Sequence, residues 1–105
     1  MSTTVRLGDL AVCRSGDKGN HADIGVVARR AADYERLRRE LTAERVAAYF
    51  QALAPSRVAR FELPNVAALN FVLYDVLAGG ASRSLRIDTQ GKLLGTALME
   101  MTFEI

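Results

Sequence analysis

Tryptophan is absent from this chain of 105 residues, cysteine and histidine occur once each, and lysine stands only at positions 18 and 92. Each shortage closes a route. A single thiol, Cys13, cannot staple the fold internally, which favours a reducing compartment. A single histidine, His21, leaves no His pair or Cys–His cluster with the spacing of a zinc site. No apolar run approaches the ~18 residues of a membrane-crossing helix. The opening residues, Met1-Ser2-Thr3-Thr4-Val5-Arg6, carry no apolar segment of the secretory kind. The expectations are one domain over residues 1–105, a cytoplasmic location and no membrane contact. Linkers, low-complexity tracts and internal repeats are also missing. Half of the residues are hydrophobic, enough for a core.

A strong charge of either sign is lacking too: the net charge is +2. Arg29, Arg30, Arg36, Arg38, Arg39 and Arg45 form a basic cluster, but Asp33, Glu35, Glu40 and Glu44 are interleaved with them. Glu35 precedes Arg38 and Arg39 at the spacing of helical ion pairs. With no aromatic interleaving and no nucleic-acid motif, the cluster reads as a solvated helix face, and no nucleic-acid partner is expected.

What the chain has is pattern. Residues 5–14 and 23–29 read as strands. Asp33 is placed to cap a helix bearing Tyr34, Leu37 and Leu41. Thr42 is placed to cap a second helix, or a bent continuation of the first, bearing Val46, Tyr49, Phe50 and Leu53 and ended by Pro55. Residues 57–63 alternate, with Ala59, Phe61 and Leu63 on one side and Arg60 and Glu62 on the other, as in a half-buried strand. Pro64-Asn65 then opens an almost wholly apolar stretch, read as a helix over 66–78 and closed by Gly79-Gly80. Leu85 and Ile87 alternate in a further strand, Gln90-Gly91 turns, and Met99, Met101, Phe103 and Ile105 mark the last strand. The order predicts an α+β two-layer sandwich, with a mainly antiparallel sheet and helices on one face, in a ferredoxin-like arrangement. An apolar helix in so small a sandwich predicts a partner chain over its second side, hence an oligomer.

Chemistry concentrates in Arg14-Ser15-Gly16-Asp17-Lys18-Gly19-Asn20-His21-Ala22-Asp23, read as a polar loop between two strands. Gly16 and Gly19 can turn backbone N–H groups toward an anion, and Lys18 adds a point charge. The spacing matches neither a P-loop nor a dinucleotide fingerprint. The same residues also suit a rigid hairpin loop in which Asp17 and Asn20 make local turn bonds. Asp17 and His21 are the candidates for moving a proton. Asp17, His21 and Asp23 lie within seven residues, but alternate positions on a strand edge are poorly placed to ligate one ion, so no metal is expected. Cys13 reads as a buried thiol. Gly79-Gly80-Ala81-Ser82-Arg83-Ser84 offers hydroxyls and a guanidinium suited to a carboxylate or phosphate. The candidate ligand-binding set is therefore Ser15, Gly16, Asp17, Lys18, Gly19, Asn20, Ser82 and Arg83. Asn70, in the apolar stretch, must find partners if it is buried.

Several collinear blocks resemble one family. They are Arg14-Ser15-Gly16-Asp17-Lys18-Gly19, Ile24-Gly25-Val26, Thr42-Ala43-Glu44-Arg45-Val46, Glu62-Leu63-Pro64-Asn65, Ala68-Leu69-Asn70-Phe71, Gly79 to Leu85 and Gln90-Gly91-Lys92. Together they are similar to the carboxy-terminal, ferredoxin-like domain of the acyclic terpene utilisation A (AtuA) family. The resemblance implies a small domain that usually follows a much larger one, here in a free-standing version. It places the chain in the degradation of branched terpenoids through coenzyme A thioesters; no cofactor is expected. His21 and Asp23 depart from the block, which has a small or acidic residue and an asparagine there. Two functions follow as expectations. The first is an accessory subunit that assembles with itself, with a large AtuA-like subunit or with both, its polar loop shaping an interface or a site for an acyl-CoA or carboxylate. The alternative is a small hydratase or lyase that uses Asp17 or His21, with Lys18 and Arg83 holding the anion.

Overall fold

The computed structural model describes residues 4–76 and 94–104. β1 (Thr4–Arg6) is followed by a short helix, α1 (Leu7–Leu10), and then β2 (Ala11–Lys18) and β3 (His21–Ala28). Next come α2 (Ala31–Glu40), α3 (Ala43–Tyr49), β4 (Arg57–Leu63) and β5 (Ala68–Tyr74). Beyond the undescribed segment lie a short helix, Leu94–Leu98, and β6 (Thr102–Glu104). β1 and β6 pair antiparallel, and the other four strands form an antiparallel sheet in the order β2-β3-β5-β4. Helices pack on one face of that sheet, burying Ile24, Val26, Leu69, Phe71 and Leu73 against Leu37, Leu41, Val46 and Leu98. This is the expected α+β architecture, consistent with a ferredoxin-like fold.

Several elements differ from their sequence reading, each for a local reason. The stretch expected as a helix over 66–78 is the strand Ala68–Tyr74, and residues 77 and 78 lie outside the described residues. A short apolar run reads equally as a buried helix or as a central strand. Here the run is rich in residues that favour strands, and it sits between two neighbours, β3 and β4. Pro64–Val66 makes one 3-10 turn, and Ala67, at φ 52°, swings the chain into the strand. The two-sided apolar helix that predicted a partner chain is therefore not there.

β4 inverts its expected orientation. Its apolar side, with Phe61 and Leu63, faces away from the helices, leaving these residues 50% and 45% exposed. Arg60 takes the helix side instead. Its Nη1 donates to the carbonyls of Arg38 (3.0 Å) and Leu41 (3.3 Å), capping the C-terminus of α2.

Other boundaries shift. The first expected strand is broken by α1, where the Gly8 N–H donates to the Met99 carbonyl at 2.8 Å. α2 starts at Ala31 with Arg30 as its N-cap, so Asp33 stands in the first turn and accepts from Arg30 Nε at 3.0 Å. Thr42 does cap α3, its hydroxyl accepting the Arg45 N–H at 3.1 Å. The final strand is shorter than its alternation suggests, because Leu94–Leu98 is helical. The strand read around Leu85 and the turn at Gln90-Gly91 fall outside the described residues.

Candidate functional site

The polar block is mostly strand. β2 runs through Lys18, β3 begins at His21, and only Gly19-Asn20 turn between them. Gly19 has φ 67°, which suits glycine at the first position of a two-residue hairpin loop. Gly16 lies in the ladder opposite Asp23, with no positive φ. The N–H cradle expected of the two glycines is therefore not formed at Gly16.

Strand alternation splits the block between the two faces of the sheet. Ser15 and Asp17 share the parity of buried Ala11 and Cys13, the helix side. Ser15 Oγ accepts the Gly95 N–H at 2.8 Å, tying helix Leu94–Leu98 to β2. Arg14, Gly16, His21 and Asp23 stand on the opposite face. Asp17 and His21 thus do not converge, and no group of three or more potential metal ligands occurs among the described residues. Position 18 pairs with His21 in the register. Ser82 and Arg83 lie outside the described residues.

His21 belongs to a braced cluster at the hairpin end of the sheet. Its Nδ1 accepts the Asp75 N–H at 3.0 Å, so Nε2 carries the proton of the neutral ring. The imidazole stands edge-on to Tyr74 with centroids 4.8 Å apart, and the Arg57 guanidinium covers the same ring at 4.4 Å. Ser56 Oγ donates to Asp75 Oδ2, and the Ser56 N–H donates to the Tyr74 carbonyl at 3.0 Å. Asp75 holds φ 65°, a strained value for a non-glycine residue. In this arrangement the Nδ1 of His21 is occupied by the Asp75 N–H.

Cys13 is buried on the helix side, and burial pushes its thiol up to about 12, with Arg29 opposing weakly. It is no nucleophile at neutral pH. Three arginines of the helical layer are engaged: Arg30 with Asp33, Arg38 with Glu35, and Arg45 with Glu40.

The face away from the helices gathers residues that sequence reasoning did not bring together. Across the four strands the register aligns Val12, Val27, Ala68 and Leu63 in one row. It aligns Arg14, Gly25, Asn70 and Phe61 in the next. An open groove of about 500 Å³ lies along these rows, lined by Val12, Arg14, Gly25 and Val27. The signal was present in the parity of β2 and β3. It needed the strand order to be read.

The fold and this face define a class: a small α+β domain whose antiparallel sheet has one face under helices and one apolar, grooved face that no helix among the described residues covers. The family model of the AtuA ferredoxin-like domain matches residues 5–104, and the chain belongs to that family. No curated protein and no solved structure matches the chain. No helix among the described residues is long and apolar enough to cross a membrane.

Proposed function

We propose that this domain is the companion module of a cytoplasmic AtuA-like assembly in the catabolism of acyclic terpenoids or their acyl-CoA derivatives. It docks through its open sheet face onto a large AtuA-type domain. The observation that carries the reading is the inverted apolar side of the sheet. Val12 (37%), Val27 (47%), Phe61 (50%) and Leu63 (45%) are exposed on one face, and Val66 (63%) stands at the adjoining turn. A contiguous apolar face of this kind marks an interaction site. The family supplies the occupant, since its small domain accompanies a much larger one. Of the hairpin positions, Gly16 and the Gly19-Asn20 turn stay in this reading as contributors to the rim of a shared anionic-ligand site, whereas Ser15 and Asp17 take the helix side.

The test is co-expression with a large AtuA-type domain, followed by size-exclusion chromatography. Co-elution that is lost in Phe61→Asp and Leu63→Asp, with unchanged circular dichroism, is the expected result. A chain that elutes alone at micromolar concentrations beside the large domain overturns the proposal. Elution as a self-associated oligomer that ignores the large domain also overturns it. The hydratase or lyase alternative uses Asp17 or His21; Asp17 takes the helix side of the hairpin, away from the open face, and the Nδ1 of His21 is engaged by the Asp75 N–H.

A further inference from the structure

Gly25 occupies the interior of β3, a central strand hydrogen-bonded on both sides. Glycine there weakens a strand by roughly 0.5–1 kcal/mol relative to alanine. A structural reason would be a positive φ or a close neighbour, and Gly25 has neither. A Cβ built at Gly25 would meet nothing nearer than Asn70 Oδ1 at 3.8 Å. Gly95 is the contrast, since a Cβ there would meet the Arg14 backbone at 3.1 Å. The backbone at Gly25 therefore lies bare where the fold does not require it, as where a ligand approaches closely.

The flanks of this gap have a definite chemistry. Arg14 lies on one side and Asn70 on the other, two strand spacings or about 10 Å apart between Cα atoms. Among the described residues the Arg14 guanidinium makes no ion pair, and neither it nor the Asn70 amide makes a side-chain hydrogen bond. Elsewhere on the sheet arginine is engaged: Arg60 with Glu62 and two carbonyls, and Arg57 over Tyr74. On one side of the gap is the apolar row of Val12, Val27 and Leu63, and on the other Asp23, whose Oδ1 lies 3.4 Å from where a Gly16 Cβ would stand.

We propose that the slot over Gly25 binds a monocarboxylate with an apolar tail. Arg14 pairs with the carboxylate, the Asn70 amide donates to it, and the tail runs over Val12 and Val27. Charge complementarity selects this occupant: one unpaired cation and one amide beside an apolar track. Asp23 at the far edge disfavours a second negative charge. The inference rests on the open face being the functional face, and it names the ligand class that the docked site would hold.

Octanoate and octanol, added to the isotopically labelled full chain, are the probes, read by amide chemical shifts. Octanoate is expected to shift Val12, Gly25 and Val27, to bind about tenfold more tightly than octanol, and to lose that preference in Arg14→Gln. Gly25→Val, which suits a strand, is expected to keep the fold and abolish the shifts. Equal binding of the two probes, undiminished binding by a folded Gly25→Val, or no shifts at millimolar octanoate would each overturn the assignment. Octanoate bound in the slot by a chain that never co-elutes with the large domain would sink the docking reading alone.

Discussion

The two faces of the four-stranded sheet are built from the same strands to opposite specifications. On the helix side, Ile24, Val26, Leu69, Phe71 and Leu73 are fully buried, and even Arg60 is spent on carbonyls at the end of α2. On the other side, Val12, Val27, Phe61 and Leu63 are exposed, a guanidinium stands unpaired among the described residues, and a glycine leaves the backbone bare. A face built only for stability would follow the first pattern, and one kept for a partner or ligand the second. The two phenylalanines Phe71 and Phe61, adjacent in the register through Arg60 and Asn70, make the sharpest pair. Phe71→Ala should cost about 3–5 kcal/mol in urea denaturation, because it empties a fully buried site. Phe61→Ala should cost under about 1 kcal/mol. Equal costs would break the comparison by showing that the open face also holds the fold together.

The glycines come next in size. Gly95→Ala forces a methyl to 3.1 Å from the Arg14 backbone, which has no flexible end to yield. It should destabilise by about 1–3 kcal/mol and loosen helix Leu94–Leu98 from Ser15. Gly25→Ala should be neutral or stabilise by up to about 1 kcal/mol, read as a rise in the thermal midpoint. A destabilising Gly25→Ala would mean that the bare backbone serves packing rather than a ligand.

Much of the helix side was legible in the sequence, and little of the open side. The apolar parts of β2 and β3, the Thr42 cap and the Glu35–Arg38 pair are local, and local pattern showed them. β5 was misread because Leu69 to Tyr74 is apolar at nearly every position, so neither helical nor strand period stands out. The composition favoured a strand, yet the burial of a central strand erased the alternation that would have said so. That error hid the open face. The row of Arg14, Gly25, Asn70 and Phe61 exists only once β5 lies between β3 and β4. The polar hairpin, by contrast, was conspicuous for its composition, and alternation then divided it between the two faces.

A chemical probe checks that division at adjacent residues. Cys13 faces the helices with its thiol pushed up to about 12 by burial, while Val12 faces the groove. Alkylation of Cys13 near pH 8 should be slower than that of a Val12→Cys, Cys13→Ala variant by about a hundredfold or more. The raised thiol also has a pH sign. The unfolded thiol ionises near 9.0 and the folded one near 12, so the folded state holds its proton longer. Its contribution is present below 9 and is lost as pH rises from 9 to 12. Relative to Cys13→Ala, stability should therefore fall over that window. A flat difference would mean that the thiol is reached by water and that the helix side is less closed than its burial implies.

The smallest expected effect lies at the turn that gives β5 its parity. Ala67 and Ala54 both hold φ 52°, a left-handed value that costs an alanine roughly 1 kcal/mol and a glycine almost nothing. Replacing either with glycine relieves that strain but loosens the unfolded chain by a similar amount. The two sites differ in packing. Ala54 is exposed, whereas Ala67 is partly buried against the core, its N–H donating to Pro64 and its carbonyl accepting from Ala28. The strain and entropy effects are common to both, so the difference between the variants isolates the Ala67 methyl. Ala54→Gly should sit a few tenths of a kcal/mol above Ala67→Gly in stability, with both within about 1 kcal/mol of the parent. If Ala67→Gly is instead the more stable, strain at the entry to β5 outweighs packing there. The parity that sends Leu69 to the helices and Asn70 to the groove is then held by the ladder and the core, and not by the turn.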